Sequence, residues 1–178
     1  MKIAITQRQL SINGITYDCL EQGWYHLLSK HEIIAVPNLI NIDLDVDLLI
    51  LSGGNSSQDR YETEIFCCEW AKEKNIPTVG ICHGAFFLNF LYGGMNGDIE
   101  GHQNTTHDII MENSTTEVNS YHHMAIAELG TDLEAIAYSP DGIEGFKHRT
   151  KPIWGLVWHP ERMVTPVLPK DLKELLFG

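Results

Sequence analysis

A cysteine between closely spaced glycines, Cys82 in the run Gly80-Ile81-Cys82-His83-Gly84, is the residue best placed to act as a nucleophile. The run follows a short apolar segment and precedes a segment of helical period, which predicts a sharp turn from strand to helix. Glycines allow such a turn because they carry no β-carbon, and the turn exposes its central side chain. The N-terminus of the following helix then favours the thiolate form of the cysteine.

A base and a carboxylate stand together in Trp158-His159-Pro160-Glu161, far downstream of the cysteine. Side chains two residues apart in an extended segment point to the same face, so Glu161 can orient the imidazole of His159. Cys82, His159 and Glu161 thus have the residue types of a nucleophile, its proton-transferring partner and an orienting acid. Each also has a plainer interpretation: Cys82 as a small buried apolar residue, and the other two as a solvated pair at a strand end.

Short apolar runs alternate with longer segments of helical period around these residues, and this order predicts an α/β fold. A buried strand over 47–51 stops at Ser52-Gly53-Gly54, and a strand over 78–81 leads into the cysteine turn. Further strands are predicted over 2–6, 33–36, 108–111, 117–120, 135–138, 143–148 and 153–158, and helices over 17–30, 60–74, 83–92 and 170–177. No internal repeat or linker interrupts this order, so we expect one domain over residues 1–178.

The composition restricts the classes of partner. The chain has 178 residues, 43% of them apolar, and 12 basic against 24 acidic residues give a net charge of −12. Because such a protein repels phosphate backbones and anionic membrane surfaces, we expect neither nucleic acid nor a membrane as partner. The sequence contains no run of about 18 apolar residues and no leader-like start, and its four cysteines lack a disulfide or zinc spacing. These features predict a cytoplasmic protein with reduced thiols, and they leave its oligomeric state open.

Five motifs span most of the chain, and their combination is more specific than any one of them. They are Ser52-Gly53-Gly54, Gly80-Ile81-Cys82-His83-Gly84, Val118-Asn119-Ser120-Tyr121-His122-His123, Ser139-Pro140-Asp141-Gly142 and Trp158-His159-Pro160-Glu161. In type and order they resemble the class I glutamine amidotransferases, and among these the stand-alone γ-glutamyl amide hydrolases. The resemblance implies a flavodoxin-like fold: a mostly parallel central sheet, helices on both faces and a small antiparallel extension.

The resemblance also implies a catalytic triad of Cys82, His159 and Glu161 that cleaves a γ-glutamyl amide through a glutamyl thioester and releases glutamate. Such a reaction needs hydrogen-bond donors for the oxyanion that forms on the carbonyl. The backbone N–H of His83 and one from the Gly53-Gly54 loop at the neighbouring strand end are expected to supply them. In the plainer interpretation these glycines form no more than a turn.

Candidate substrate-binding residues follow from the same resemblance. The segment Asn119-Ser120-Tyr121-His122 resembles the strand that holds the α-amino and α-carboxylate groups of a glutamyl moiety, although it could be an ordinary sheet strand. Arg60 and Glu64 resemble an Arg-Asp-x-x-Glu pattern of the hydrolases, and they could equally be an exposed ion pair on a helix. His102 stands where relatives carry a histidine-containing loop near the pocket, or in a plain surface loop.

Two departures from the family pattern bear on the leaving group. Phe86 and Met124 stand where many relatives have glutamine, which argues against free glutamine as the substrate. With His83 after the cysteine, the chain most resembles hydrolases of bacterial capsule assembly that free glutamate from a γ-glutamyl nitrogen bonded to the phosphorus of a cytidine nucleotide. The expected partner is therefore a small γ-glutamyl molecule with a nucleotide leaving group.

Neither a cofactor nor a metal ion is expected, because no metal-ligand spacing links the histidines. The histidines considered are His102, His107, His122, His123 and His148. Two alternative functions remain open. The protein could be a glutaminase subunit that passes ammonia to a separate synthetase, or a binding protein that keeps the fold without catalysis.

Overall fold

Strands and helices alternate along the first half of the chain, and strands dominate the second half. The computed structural model describes residues 1–39 and 43–178. The strands are β1 Lys2–Thr6, β2 Arg8–Ile12, β3 Ile15–Cys19, β4 Glu32–Val36, β5 Leu48–Leu51, β6 Thr78–Ile81, β7 Met95–Asp98, β8 Gln103–Met111, β9 Ser114–Tyr121, β10 Met124–Glu128, β11 Leu133–Ser139, β12 Gly142–His148 and β13 Ile153–Leu156. The helices are α1 Gln22–Leu27, α2 Gln58–Lys74, α3 His83–Leu91 and α4 Lys170–Phe177.

The main sheet has a parallel half and an antiparallel half. Its strands follow the order β4-β1-β5-β6-β13-β12-β11-β8-β9, and β10 and β7 extend it beside β12. Neighbours from β4 to β13 pair in parallel, and the pairs from β13 to β9 are antiparallel. Strands β1, β5, β6 and β13 are almost entirely buried, as parallel strands covered on both faces must be. The predicted α/β fold with a parallel centre is confirmed.

The helix predicted over 17–30 is wrong in its first half. Residues 8–19 form the hairpin β2–β3, and α1 begins only at Gln22. Asn13 and Gly14 connect the two strands with φ values of 52° and 78°. These positive angles are those of a two-residue hairpin turn, for which Asn-Gly is a strong sequence signal. The hairpin was missed because the apolar residues that follow also fit a helical period.

Two short strands, β7 and β10, were also missed. Strand β7 reads Met-Asn-Gly-Asp, which has no β-branched or aromatic residue to favour a strand. It forms because it pairs with β10, which in turn pairs with β12. The strand predicted over 78–81 and the helix predicted over 170–177 coincide with β6 and α4. No helix within the described ranges is long and apolar enough to cross a membrane.

Candidate active site

The cysteine turn follows β6 and holds Cys82 in a strained backbone conformation. Cys82 has φ 49° and ψ −102°, and its N–H donates to the carbonyl of Leu156 over 2.8 Å. A β-carbon on Gly80 would lie 2.4 Å from the carbonyl oxygen of Gly84. A β-carbon on Gly84 would lie 2.2 Å from the carbonyl oxygen of Leu51. The predicted strand-to-helix turn is confirmed, and both of its glycines are required by close backbone contacts.

The parallel half of the sheet brings three distant segments to one edge. Strands β5, β6 and β13 are neighbours, and their carboxyl ends lead into Gly53-Gly54, Cys82 and His159. In open α/β sheets this is the edge at which ligands bind. The cysteine, the histidine and the glycine loop are therefore assembled by topology, although they lie far apart in the sequence.

His159 and Glu161 form a buried pair. Nδ1 of His159 lies 2.6 Å from Oε1 of Glu161, and the two residues are 1% and 6% exposed. The pair is held by a 3-10 turn over Pro160–Arg162, not by the extended segment expected from the sequence. Burial disfavours the charged imidazole, but hydrogen bonds and charge from Cys82 and Glu161 outweigh it and raise the pKa of His159 to about 9. At neutral pH the ring is therefore mostly an imidazolium.

Two residues of the predicted substrate strand contact His159. The side-chain oxygen of Asn119 accepts a hydrogen bond from the backbone N–H of His159, and its Nδ2 donates to the carbonyl of His159, each over 2.8 Å. The ring of Tyr121 meets the imidazole edge to face, with 5.6 Å between the centroids. Asn119 thus holds the backbone of His159 in place, and the partly exposed ring of Tyr121 packs beside the imidazole.

Arg60 lies behind the Gly53-Gly54 loop and is fully buried. Its guanidinium donates to backbone carbonyls on both sides of the two glycines and, over 2.9 Å, to the carboxylate of Glu64. On the other side of the loop, a β-carbon on Gly53 would lie 2.4 Å from Cε1 of His159. Arg60 is therefore not an exposed helix residue, and it acts on the site through the loop that it holds.

His83 is anchored by its side chain. Its Nε2 lies 3.0 Å from Oε2 of Glu64, its Nδ1 lies 3.3 Å from Oγ of Ser56, and its ring stacks on Phe87. Burial raises the pKa of Glu64, but His83 and Arg60 outweigh it and hold this pKa below its usual range. Because Glu64 and Ser56 contact both ring nitrogens of His83, its backbone N–H at the start of α3 is the group available to a ligand.

The other three residues predicted to bind substrate are buried against one another. They are His102, Ser120 and His122, and none is more than 5% exposed. The hydroxyl of Ser120 donates to the carbonyl of His102 over 2.6 Å, and the rings of His102 and His122 have centroids 4.8 Å apart. These residues form a polar layer within the antiparallel half of the sheet.

Two arginines at the rim of the site, Arg8 and Arg162, are not among the residues predicted from the sequence. Nη1 of Arg8 lies 3.1 Å from Oε1 of Glu21, and Nε of Arg162 donates to Oε2 of Glu21 over 2.8 Å. The guanidinium of Arg162 also lies 4.5 Å from the ring centroid of Tyr121. Arg8 packs on Gly54, where a β-carbon would lie 2.8 Å from its Cβ. Arg8 starts the unpredicted hairpin, so the sequence pattern gave no sign of this pair.

A cavity of about 230 Å³ opens beside His83. It is lined by Ser56, Ser57, Tyr61, His83, Phe86, Phe87, Phe90, Asn96 and Met124. Phe86 and Met124 both belong to this lining, so the two departures from glutamine make one cavity more apolar. A larger cavity, of about 720 Å³, lies around Ile76, just before β6, and Ile153, the first residue of β13. This cavity therefore lies at the opposite end of these strands from the cysteine turn.

Known proteins resemble this chain over most of its length. A γ-glutamyl-CDP-amidate hydrolase of Campylobacter jejuni is 30% identical over 91% of this chain and 90% of its own. A glutamine-hydrolysing GMP synthase subunit of Methanosarcina acetivorans is 29% identical over 71% of this chain and 72% of its own. Among solved structures, a glutamine amidotransferase from Thermotoga maritima superposes with a TM-score of 0.72, at 16% identity, over 90% of this chain and 76% of that one.

The match to a family model is equally extensive. Residues 16–177 match the model described as glutamine amidotransferase class-I. This range contains the glycine loop, the cysteine turn and the histidine–glutamate pair described above. The chain belongs to the class I glutamine amidotransferase family.

Proposed function

We propose that this protein is a cysteine-dependent hydrolase that cleaves a γ-glutamyl amide bond and releases glutamate. The observation that carries the proposal is the buried His159–Glu161 pair, hydrogen-bonded over 2.6 Å, with Cys82 close enough to raise the pKa of His159, where parallel strands end. A thiol on a strained turn beside an imidazolium and an orienting carboxylate has the parts that nucleophilic amide cleavage needs.

The reaction would proceed in two halves. The thiolate of Cys82 attacks the γ-carbonyl carbon, a C–S bond forms, and the carbonyl electrons move to the oxygen. The N–H groups of His83 and the Gly53-Gly54 loop stabilise this oxyanion, and loss of one such donor typically costs about 3–4 kcal/mol. As the C–N bond breaks, the imidazolium of His159 protonates the departing nitrogen. Neutral His159 then takes a proton from water, which hydrolyses the thioester to glutamate and restores the thiolate.

The residues around this centre take different parts in the proposal. Tyr121 is expected to line the glutamyl pocket, and Asn119 to hold His159 in place. Arg60 positions the oxyanion loop through its carbonyls. The buried residues Ser120, His122 and His102 support the strand from behind and do not contact the substrate in this proposal.

For the leaving group we propose a nitrogen bonded to phosphorus, as in a γ-glutamyl-CDP-amidate. The name of the Campylobacter jejuni relative supports this substrate. So do Arg8 and Arg162, since a phosphoryl oxygen at the rim could replace the carboxylate of Glu21 as their partner. Burial lowers the pKa of Arg162, but the hydrogen bond and charge of Glu21, with smaller contributions from Glu161 and Cys82, outweigh it and raise this pKa, so Arg162 lies within electrostatic reach of Cys82. A role in capsule phosphoramidate assembly remains part of this proposal.

A second function is supported by one comparison. The Methanosarcina acetivorans relative belongs to a GMP synthase, which is glutamine-hydrolysing by name. A glutaminase of this kind would need a synthetase partner and would turn over free glutamine. The cavity beside His83 favours the hydrolase, because Phe86 and Met124 line it where many relatives have glutamine.

Glutamate release from a panel of γ-glutamyl amides would test the proposal. The panel should contain free glutamine, a neutral γ-glutamyl alkylamide and a γ-glutamyl phosphoramidate nucleotide. We expect fastest release from the phosphoramidate, and loss of at least about 10⁴-fold in kcat for Cys82→Ser on every substrate. Cys19 lies at the end of β3, is half-buried and takes no part in the proposed reaction, so Cys19→Ser serves as the matched control.

Each result discriminates between the functions. Equal rates on glutamine and on the phosphoramidate would contradict the specialised hydrolase. Turnover of glutamine that rises strongly with an added synthetase would support the glutaminase function. Unchanged glutamate release in Cys82→Ser would contradict cysteine-dependent catalysis altogether.

A further inference from the structure

Four side chains of the antiparallel half meet in a buried polar cluster, which we call the histidine cluster: His102, His107, His122 and Glu144. Each is at least half-buried, and they come from the segment before β8, from β8 itself, from the turn after β9 and from β12. Ligand atoms of His102, His107 and Glu144 lie within 4.8 Å of one another. The ring of His122 has its centroid 4.8 Å from that of His102. The cluster takes no part in the proposed mechanism.

The histidine cluster contains polar atoms that no described residue satisfies. Within residues 1–39 and 43–178, both ring nitrogens of His107, Nε2 of His122 and Oε2 of Glu144 are buried without a hydrogen-bond partner. Nε2 of His107 lies 3.4 Å from Oε1 of Glu144, but not in hydrogen-bond geometry. A buried polar group that is left unsatisfied destabilises the folded state. Four such atoms in one place indicate that something of complementary chemistry belongs there.

The chemistry of His122 narrows the choice of that partner. Its Nδ1 faces the carbonyl of Met124 at 2.7 Å, so this nitrogen must donate a hydrogen. In the neutral ring Nε2 then carries a lone pair, and it faces Oε2 of Glu144 at 3.8 Å. Two acceptors that face each other are satisfied by a cation between them.

We propose that the histidine cluster binds one divalent transition-metal ion, with Zn²⁺ as the expected ion. Three imidazoles and one carboxylate are a ligand set that suits Zn²⁺, with bond lengths of about 2.0–2.2 Å. Ligand atoms of a tetrahedral site at these bond lengths lie roughly 3.3 Å apart. Binding would therefore draw together the ligand atoms of His102, His107 and Glu144, now within 4.8 Å of one another, and would bring the ring of His122 toward them. The ion would join β8, β12 and the turn after β9, and would thereby brace the end of the strand whose Asn119 holds His159.

Two of the proposed ligands, His102 and Glu144, already contact a second polar group each. Side chains that bind a metal ion are commonly held by such outer partners. The carboxylate of Asp141 lies 3.2 Å from Nε2 of His102. The hydroxyl of Ser139 donates to Oε1 of Glu144 over 3.0 Å, whereas Oε2 has no hydrogen-bond partner among the described residues. Spacing along the chain could not reveal the site, because its ligands come from separate strands; this proposal replaces the sequence-based expectation of no metal.

Metal titration of the full chain tests the inference without reference to activity. The measurement uses chelator-treated Cys82→Ser protein, because a thiolate beside an imidazole would itself bind soft metals. Calorimetry with Zn²⁺ is expected to give one ion per chain, and Co²⁺ is expected to give visible absorption without thiolate charge-transfer bands. Added Zn²⁺ should also raise the melting temperature.

Variants assign the bound ion to the cluster. His107→Ala and Glu144→Gln, each in the Cys82→Ser background, should weaken Zn²⁺ binding at least tenfold, with circular dichroism reporting whether the fold is kept. His26→Ala removes an exposed histidine of α1 and should bind as tightly as the parent. If the parent binds no more Zn²⁺ than Glu144→Gln, or only with thiolate bands, the inference is wrong and the cluster holds protons and water. Either result leaves the proposed hydrolase activity to its own test.

Discussion

His159 derives its proton affinity from two neighbours. Glu161 faces Nδ1 of His159 at 2.6 Å, and Cys82 lies close enough to raise the pKa of the ring as well. Each of the two favours the imidazolium, and together they overcome the burial that opposes it. The motifs in the sequence could name all three residues, but the pKa of the ring depends on burial and distance, which the sequence does not contain.

The raised pKa of His159 predicts a pH-dependent contribution to stability. The pKa rises from 6.5 to about 9 on folding, so the folded protein binds this proton more tightly than the unfolded chain. The contribution is complete below about pH 6.5 and is lost as the pH rises through about 9. We expect the stability advantage of the wild type over His159→Gln to be about 3 kcal/mol smaller above pH 9 than near pH 6. Urea unfolding under reducing conditions at the two pH values measures this difference.

His26→Gln is the matched control, since His26 is exposed at the end of α1. Its stability should follow that of the wild type at both pH values. An advantage over His159→Gln that is the same at both pH values would mean that His159 does not gain a proton on folding. The assignment of His159 as an acid at neutral pH would then be wrong.

At the scale of elements, the loop after β5 packs in direct contact with the turn after β13. A β-carbon on Gly53 would lie 2.4 Å from Cε1 of His159, so Gly53→Ala must displace either the loop or the imidazole. Misplacement of a catalytic group by about 1 Å can reduce the rate about 100-fold. We therefore expect kcat for glutamate release to fall about 100-fold in Gly53→Ala, with the melting temperature little changed. Steady-state kinetics and thermal unfolding measure the two effects.

Gly97→Ala provides the control for this loop. Gly97 lies in β7, and the nearest atom to its added β-carbon would be 4.0 Å away, so both kcat and stability should be kept. A Gly53→Ala protein with wild-type kcat would contradict the close fit between loop and imidazole. In that case the glycine would serve only the turn.

The elements differ in how far the sequence determines them. Strand β6 and helix α4 were predicted to the residue, because a buried apolar run and a helical period give unambiguous signals. Strand β7 could not be predicted, since its polar residues form a strand only through pairing with β10. The hairpin β2–β3 was predictable from Asn13-Gly14, but a competing helical period hid it. Because the hairpin was not predicted, the position of Arg8 at the rim of the site was not predicted either.

At the scale of the whole molecule, the proposed anionic substrate would have to bind an acidic protein through a few local basic groups. The net charge of −12 repels a nucleotide at long range. Arg8 and Arg162 stand beside the site and share the carboxylate of Glu21, and Nε of Arg162 also lies 3.9 Å from Oε1 of Glu161, so a phosphoryl group would bind by replacing a carboxylate as their partner. The substrate proposal therefore depends on these two arginines more than on the protein as a whole.

Arg162→Met should separate binding of the leaving group from catalysis. A hydrogen bond to a charged group contributes about 1.5–3 kcal/mol, so KM for a γ-glutamyl phosphoramidate nucleotide is expected to rise about tenfold or more. KM for a neutral γ-glutamyl alkylamide should stay nearly constant, because that substrate has no phosphoryl oxygen to contact Arg162. Arg149→Met, which removes a 60% exposed side chain paired only loosely with Glu134, should change neither value. If KM rises equally for both substrates, Arg162 supports the neighbouring Tyr121 and Glu161 instead, and the rim does not select a phosphoryl leaving group.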